Sequence, residues 1–317
     1  MDPTFIQTIK NTFGADGASW LSALPDLITE ASRRWDLTNI QPVPNLSYNF
    51  VAFARLPERS GAHTCPGGRC QGSKGADDVV LKLGLPRDEL TSEIAALQLY
   101  NGHGAVRLLG ADTEKGMLLL ERLQPGSMLS ELKDDEQATH IAADVMSQLW
   151  QPVPDNTENF IQLKDWFDGF GRLRVRFDGK TGPLPEKLVE TAESLSGDLL
   201  AENKDQALLH GDFHHYNVLK SVRGWLAIDP KGVVGPKGYE VGPLLINPID
   251  RFLNGSNPRI QTEKRIAILS EKLDIERECI RAWGICHAVL SAWWSIEDGD
   301  DWEYGIRSAE ILQQVKI

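Results

Sequence analysis

The chain has 317 residues, 41% of them hydrophobic and 25% charged, which is ordinary for a globular protein and enough for about two domains. Its formal net charge of −12, from 45 acidic and 33 basic side chains, repels phosphate backbones and anionic lipid. We therefore predict no nucleic acid and no membrane partner, and we expect the charge to favour cations. Four cysteines are too few for a disulfide framework and no apolar run has the length of a membrane span, so we expect a cytoplasmic protein.

Helical and β-like patterns alternate in the first third of the chain. Apolar positions recur at helical spacing over residues 1–40, where Gly14 and Gly17 interrupt the pattern. Two β-like runs, NFVAFARL and DVVLKLG, then flank the polar stretch 58–77. The segment DELTSEIAALQLYNGHG predicts a helix that stops at the Asn-Gly step 101–102, and AVRLLGAD and KGMLLLERL predict two further strands.

From the segment ERLQPGSML onward the sequence is mainly helical. Pro125 and Gly126 break the strand pattern there and predict the connection between two domains. One β-rich interruption, ALLHGDFHHYNVLKSVRGWLAIDP, stands among the helices, and we expect the chemistry to lie in it. The predicted helices of this part are 135–150, 158–176, 184–203, 259–273 and 275–297.

The motif HGDFHHYN places Asp212 five residues before Asn217, and the strand-like run WLAID ends at Asp229. This is the spacing of a kinase catalytic loop, in which an Asp is followed by an Asn and later by a metal-binding Asp. An alcohol is a poor nucleophile, so we predict that the Asp212 carboxylate accepts its hydrogen bond and aims it at a phosphorus atom. Because Mg²⁺ prefers hard oxygen ligands, we predict Asn217 and Asp229 as metal ligands beside ATP.

The alternative is that Asp212 caps a turn and that Asn217 and Asp229 are ordinary loop residues. The HGD triplet, the two strands that follow and the terminal Asp favour the functional interpretation. For His210 we predict an anchoring role, to backbone or to the metal-binding strand. His214 and His215 have neither an HExxH pattern nor a cysteine partner, so we predict loop packing for them.

Lys82 and Glu93 are the predicted residues of an ion pair on the nucleotide side. Lys82 lies in the β-branched run VVLKLG, where a lysine that holds the α- and β-phosphates is expected. Glu93 lies at the edge of the apolar helix face that Leu90, Ile94 and Leu97 form. Either residue alone could be a solvated charge, but their order on a strand and the next helix favours the pair.

No GxGxxG motif is present to cover the phosphates. In its place, Ser47, Tyr48 and Asn49 in NLSYNFV could turn the chain over the phosphates, although an ordinary hairpin turn is an equal alternative. From their position at the end of the last predicted strand, Glu121 and Leu123 are predicted to supply backbone hydrogen bonds to adenine.

These segments resemble the aminoglycoside phosphotransferase-like kinases, and within them the aminoglycoside/hydroxyurea resistance kinases. The resemblance implies an α+β, bilobal protein-kinase-like fold, with a β-rich N-terminal lobe over 1–123 and a mainly helical C-terminal lobe over 124–317. It also implies ATP and Mg²⁺ as cosubstrates, Asp212 as the catalytic aspartate and Lys82 as the phosphate ligand. The segments that carry it are WLSALPDLITEASRRWDL, NLSYNFVA, VVLKLG, AVRLLGAD, LLLERLQPGS, LLHGDFHHYNVLKS, GWLAIDPKGVVGPKGYEVGPLLINP and AVLSAWWSIEDG.

The sequence departs from the family pattern at two places. The stretch 58–77 is expected to be an insertion, and its HTCPGGRC segment carries His63, Cys65 and Cys70. These three could hold zinc only with a fourth ligand that the sequence does not show nearby, so a plain Gly-rich loop or a Cys–Cys disulfide remain alternatives. Glu240 stands where family members more often have Asp, and we predict that it braces the loop after Asp229.

The function predicted from the sequence is transfer of the γ-phosphoryl group of ATP to a hydroxyl of a small molecule. The resemblance points to an aminoglycoside such as streptomycin as the acceptor. A hydroxyurea kinase, a kinase of another cellular metabolite and a non-catalytic nucleotide-binding descendant are the alternatives. The sequence predicts no oligomeric state.

A cationic acceptor is suggested by acidic and aromatic residues that occur together near the C-terminus, since carboxylates pair with guanidinium groups and indole faces attract cations. The alternative is that the tryptophans are helical core and the acidic run is solvated. Two consecutive tryptophans of one helix cannot both face the core, which leaves one indole for another task. The predicted acceptor residues are Asp165, Glu297 and Asp298, with Trp166, Trp293 and Trp294 beside them.

Overall fold

A computed structural model describes residues 2–57, 78–202, 205–255 and 257–317. The predicted zinc or loop residues His63, Cys65 and Cys70 lie outside these described residues.

The chain packs as two compact units. Residues 1–94 and 107–122 form the first unit, and residues 95–106 and 123–317 form the second. Each unit has a hydrophobic core of its own. The predicted boundary between the lobes, at residue 123, stays a prediction. The packing units differ from the predicted lobes in one segment: residues 95–106 belong to the second unit, although they precede residue 123 in the sequence.

Helix α1 (Pro3–Trp35) opens the first unit. It begins where the Asp2 side chain caps a first-turn N–H at 2.9 Å, an arrangement that satisfies one of the free donors of a helix start. Gly14 takes a left-handed φ of 57° and kinks the helix, as its sequence position predicted. The predicted break at Gly17 is wrong. Gly17 stays helical, and a Cβ there would lie 2.5 Å from the carbonyl oxygen of Ile9, so the glycine permits close packing across the kink.

The first unit contains an antiparallel sheet of five strands in the order β1-β2-β3-β5-β4. Strand β2 alternates buried and less buried positions, as a half-buried strand should, and its buried side packs with α1 in the core. The sequence analysis did not predict β1, because its side chains are mostly exposed. The strands are β1 (Thr38–Pro42), β2 (Phe50–Arg55), β3 (Asp78–Leu83), β4 (Leu108–Asp112) and β5 (Met117–Glu121).

Helix α2 (Asp88–Tyr100) follows β3 and runs from the first unit into the second. It ends at Asn101 (φ 44°) and Gly102 (φ 81°), which is the predicted stop.

Nine helices of the described residues form most of the second unit. The longest of these, α10, is buried along much of its length and packs against α5, α6, α7 and α11. None of the helices that the structure describes is both long and apolar enough to cross a membrane. The helices are α3 (Asp135–Leu149), α4 (Leu163–Phe167), α5 (Gly169–Arg176), α6 (Glu186–Ala201), α7 (Val241–Leu245), α8 (Ile249–Asn254), α9 (Pro258–Leu273), α10 (Arg277–Asp298) and α11 (Glu303–Gln313).

Two small sheets complete the second unit, in the orders β10-β9-β6 and β7-β11-β8. Their strands are β6 (Pro125–Met128), β7 (Ile161–Gln162), β8 (Gln206–Leu209), β9 (Val218–Ser221), β10 (Gly224–Ala227) and β11 (Val233–Pro236).

The strand pattern breaks over residues 122–124, within the segment where a break was predicted. Strand β5 ends at Glu121, and Pro125 and Gly126 open β6, an edge strand with an irregular register in which a proline costs no ladder bond. One helix prediction for this unit is wrong. The helix predicted over 158–176 is instead the short strand β7 followed by α4 and α5, which are separated at Asp168.

Candidate active site

The β9–β10 hairpin brings the two ends of the predicted motif together. Its strands pair in antiparallel register, so the residue before β9 and the residues after β10 lie at the same end. The N–H of Ile228 donates to the carbonyl of Asn217 at 2.9 Å, which places Asn217 beside the backbone that leads into Asp229. The predicted metal ligands are 12 positions apart in the sequence, and the residues between them, 218–228, form one tight hairpin and the short turn into Asp229.

Asp212 lies in the loop between β8 and β9, with its side chain 38% exposed. The side-chain amide of Asn217 donates to the Asp212 carbonyl at 3.0 Å, and His214 Nε2 lies 3.5 Å from Asp212 Oδ1. Burial favours the protonated carboxyl, but the nearby charges of His214 and Lys231 outweigh it and lower the pKa of Asp212. The group is therefore an ionised carboxylate at neutral pH, able to accept a hydrogen bond from a hydroxyl.

His210 ties the two arms of the motif to each other. Its Nε2–H donates to the carbonyl of Ile228 at 2.8 Å, and its Nδ1 accepts the N–H of Asp212 at 3.2 Å. Burial lowers the pKa of His210 to about 4, so the ring is neutral and one nitrogen remains an acceptor. The predicted anchoring role is confirmed.

Glu240 braces the loop before Asp212, not the loop after Asp229 as predicted. Its two carboxylate oxygens accept the N–H of His210 at 2.7 Å and the N–H of Gly211 at 2.9 Å. The side chain is fully buried, and burial raises its pKa to about 7, with a smaller contribution from the charge of Asp212. The reason is that β11 runs antiparallel along β8, and the helical turn Lys237–Glu240 that follows packs against β8 and returns Glu240 to its end.

Gly211 is the position in this loop where a side chain could not fit. Its φ is +86°, and a Cβ there would lie 2.4 Å from Val233 Cγ2 and 3.1 Å from the ring of Trp166. Both the backbone conformation and the close packing therefore require glycine immediately before Asp212.

In the first unit, the structure brings Lys82 and Glu93 together. Lys82 Nζ lies 2.7 and 2.8 Å from the two carboxylate oxygens of Glu93. Both residues are buried, at 4% and 5% exposure. Lys82 lies on β3 opposite Leu118 and Val51 of the neighbouring strands, and this central position holds the ammonium group in place.

Ser47, Tyr48 and Asn49 form bends between β1 and β2. Ser47 and Tyr48 are exposed, while the Asn49 side chain lies against the backbone of Gly84, where a Cβ would meet its oxygen at 2.2 Å. These residues thus form a turn at the end of β3. A role of the turn in covering phosphates stays a prediction.

Glu121 ends β5, and Leu123 follows two residues later. The N–H of Glu121 already donates to the carbonyl of Arg107 at 3.0 Å, so an adenine contact from Glu121 would have to use its carbonyl. Leu123 is nearly buried, and within the described residues its N–H and carbonyl take part in no hydrogen bond. The adenine contacts remain predictions.

Asn217 and Asp229 can supply a magnesium ion with hard oxygen ligands. The amide nitrogen of Asn217 is engaged by Asp212, which directs its oxygen to act as the acceptor, and Asp229 is half-buried with a left-handed φ of 58°. Across the described ranges, no group of three or more His, Cys, Asp or Glu side chains could hold a metal by itself. Few protein ligands are typical of Mg²⁺, which completes its coordination with water and substrate phosphates.

The predicted acceptor residues lie on α4 and α10. Trp293 is buried at 1% exposure, whereas Trp294 is half-buried and contacts the ring of Trp166 at 5.4 Å between centroids. As predicted, one of the two consecutive tryptophans, Trp293, lies in the core and the other, Trp294, does not. Asp165 is exposed on α4, beside Trp166 in the sequence.

Glu297 and Asp298 lie at the C-terminal end of α10, and both are exposed. Glu297 is paired with Arg172 of α5 at 3.2 Å. Partial burial, with the charges of Asp300 and Glu297, raises the pKa of Asp298. Their role in acceptor binding stays a prediction.

Two residues near Asp212 were missed by the sequence analysis. The hydroxyl of Tyr239 lies 3.0 Å from His287 Nδ1, and both side chains are buried. Burial lowers the pKa of His287 to about 4, although the charge of Asp212 acts in the opposite direction. A lone His within an apolar helix and a Tyr beside Glu240 carried no local signal of this contact.

The five-stranded antiparallel sheet with its buried Lys–Glu pair, and the helical unit with its Asp-Asn-Asp motif, are features of the protein-kinase-like fold. Solved structures of that fold are similar to this one. Choline kinase LicA from Streptococcus pneumoniae has a TM-score of 0.60 at 13% identity, covering 92% of this chain and 98% of its own. A thermostable mutant of aminoglycoside phosphotransferase APH(4)-Ia, in complex with ADP and hygromycin B, has a TM-score of 0.58 at 12% identity and covers 90% and 96%.

Residues 70–299 match the family "Aminoglycoside/hydroxyurea antibiotic resistance kinase", and the chain belongs to that family. Streptomycin 6-kinase of Streptomyces glaucescens is 31% identical, over 90% of this chain and 88% of the relative. Hydroxyurea phosphotransferase of Kitasatospora aureofaciens is 30% identical, over 90% of this chain and 77% of the relative. The predicted family and fold class are confirmed, and the protein is a small-molecule kinase.

Proposed function

We propose that this kinase phosphorylates a hydroxyl of an aminoglycoside such as streptomycin, with ATP as the donor. The ionised Asp212 carboxylate, held on a braced loop, is the observation that carries the proposal. Two streptomycin 6-kinases, 31% and 28% identical over most of the chain, support the choice of acceptor.

In the proposed reaction, the acceptor hydroxyl oxygen forms a bond to the γ-phosphorus as the bond from that phosphorus to the ADP oxygen breaks. The hydroxyl proton passes to the Asp212 carboxylate, which then releases it to solvent. A carboxylate with a lowered pKa is a weak base, so its main task is to orient the hydroxyl, and the proton moves late. His210 and Asn217 keep Asp212 in place through the bonds that they make to its backbone.

Lys82 is proposed to bind the α- and β-phosphates, and Glu93 orients its ammonium group. Asn217 and Asp229 are proposed to hold Mg²⁺, which, when bound, offsets the negative charge of the phosphates. Positioning and charge compensation are the main contributions of a protein to phosphoryl transfer, and these residues supply both.

Hydroxyurea is the second candidate acceptor, because a hydroxyurea phosphotransferase is as similar to this chain as the streptomycin kinases are. Its N–OH group offers the same kind of oxygen nucleophile to Asp212.

The test is ADP release measured with streptomycin, with hydroxyurea and without acceptor, each with the wild type and with Asp212→Asn. We expect acceptor-dependent ADP release with streptomycin and a phosphate monoester of it in the ³¹P NMR spectrum. Release with hydroxyurea alone would replace the first candidate with the second. ADP release that no acceptor stimulates would contradict both.

A further inference from the structure

Trp166 and Trp294 form a half-buried indole pair in the second unit. Their ring centroids are 5.4 Å apart, with an angle of 84° between the planes. Each indole also contacts one buried ring, Trp166 with Tyr239 at 5.9 Å and Trp294 with His287 at 6.1 Å. Packing on these buried rings fixes the pair, and its remaining surface is open to solvent.

The indole pair lies beside the loop that carries the proposed catalytic carboxylate. The ring of Trp166 would be 3.1 Å from a Cβ at Gly211, so it lies against the backbone immediately before Asp212. A group held on the Trp166 ring is therefore held beside the residue that receives the acceptor hydroxyl.

The surroundings of the indole pair favour a cation. His287 beneath Trp294 is neutral at physiological pH, because burial lowers its pKa to about 4. Asp165 precedes Trp166 on α4, and Asp298 lies one helical turn after Trp294 on α10. Two arginines of α5 have partners on α10: Arg172 is paired with Glu297 at 3.2 Å, and Arg176 lies 5.9 Å from the ring centroid of Trp293. Indole faces attract cations through their ring charge distribution, and a flat guanidinium group can also stack on them.

We propose that Trp166 and Trp294 bind a guanidinium group of the acceptor and thereby position its hydroxyl at Asp212. This inference rests on the proposed function and names the protein surface that selects a cationic acceptor. Streptomycin, which carries two guanidinium groups, is the probe for it.

The experiment compares Trp294→Leu and Trp166→Leu with Trp225→Leu by calorimetric titration of streptomycin and, separately, of ATP. Trp225 is a half-buried indole on β10 that no described ring contact joins to the pair. We expect the Kd for streptomycin to rise about 3- to 30-fold in each of the two variants, the range that one cation–π contact supports. We expect the ATP Kd to stay at the wild-type value, and Trp225→Leu to match the wild type for both ligands. Trp294→Phe keeps an aromatic ring, so its Kd for streptomycin should lie between those of the wild type and Trp294→Leu. It replaces the Leu variant if that one does not fold.

The outcomes separate this inference from the proposed function, because binding and turnover are measured apart. If the wild type phosphorylates streptomycin but both variants bind it like the control, the indole pair is not the subsite and the proposed function stands. If the wild type binds streptomycin without phosphorylating it, and the variants lose affinity, the subsite stands and the proposed function falls. If the wild type does not bind streptomycin at all, both are overturned.

Discussion

Two buried glutamates, one in each unit, are stabilised in different ways. Glu93 faces the ammonium group of Lys82 at 2.7 and 2.8 Å, so a buried negative charge is matched by a positive one. Glu240 faces two backbone N–H groups, at 2.7 and 2.9 Å, and burial raises its pKa to about 7. Backbone dipoles thus offset only part of the cost of burying a carboxylate.

The difference shows what each arrangement can do. A buried ion pair holds a charged group ready for a charged ligand, which suits a lysine that binds phosphates. A carboxylate bound to backbone N–H groups fixes the path of a loop, which suits the turn that carries Asp212. The first arrangement should therefore matter for nucleotide binding, and the second for loop geometry and the transfer step.

The largest expected effect is on the transfer step, and it comes from replacing Asp212. Asp212→Asn should lower kcat by about 10²- to 10⁴-fold, because a positioned base contributes that much. The Kd for ATP should change little, since the carboxylate serves the acceptor hydroxyl. Steady-state kinetics and ATP titration test this, with the exposed Asp144→Asn on α3 as the control. A variant with near-normal kcat would remove Asp212 from the catalytic role.

Breaking the ion pair should be the next largest effect. Lys82→Met leaves Glu93 buried without its charge partner, and we expect a loss of about 3–5 kcal/mol in the free energy of unfolding together with weaker ATP binding. The double variant Lys82→Met/Glu93→Leu should recover most of the stability but not the ATP affinity. Denaturant unfolding measures the first quantity and ATP titration the second.

The exposed pair Arg87–Asp16 is the control for this measurement, and Arg87→Ala should change stability little. A Lys82→Met protein as stable as the control would mean that the charge of Glu93 is compensated in another way.

Glu240 should make stability depend on pH near neutrality. Its pKa is raised from 4.5 to about 7 in the folded protein, so between these values the folded state holds a proton that the unfolded state has released. The stabilising contribution is therefore present at low pH and is lost as the pH rises through 7, by on the order of 3 kcal/mol. Glu240→Gln does not titrate, so the stability of the wild type relative to this variant should fall between pH 5 and pH 8. Thermal unfolding of both proteins at the two pH values measures this difference, and an unchanged difference would contradict the raised pKa.

The smallest expected difference, about 1–3 kcal/mol between a variant and its control, concerns the turn that Glu240 holds. Gly211→Ala adds the strain of a left-handed alanine, about 1–2 kcal/mol, and an overlap with Val233 that costs about 1–3 kcal/mol more. Gly179→Ala is a matched control, because Gly179 has a φ of +83° and no atom within 4 Å of a Cβ. In chemical unfolding, the control Gly179→Ala should lose only the stability that corresponds to the backbone strain, without the cost of the overlap. Equal losses in the two variants would mean that Val233 yields without cost.

The sequence alone determined the parts of the site that depend on local spacing. Lys82 and Glu93 lie on a strand and the helix that follows it, and Asp212 and Asn217 lie in one loop, so regular periodicity and a short motif were enough to predict their pairing. The fold class followed from the family resemblance that these motifs and the other matching segments carry. The division between Trp293 and Trp294 was also predicted, because consecutive residues of a helix point in different directions.

Only the tertiary structure decided the contacts between distant elements. Glu240 holds the residues before Asp212 because the turn after β11 packs against β8, and Trp166 contacts Trp294 because α4 and α10 bring them together. Periodicity shows which face of a helix is buried but not which element covers it, so no local pattern could name these partners. The same limit explains the wrong prediction of a helix break at Gly17. A glycine or a proline shows where the chain can bend, and the packing around it decides whether the bend occurs.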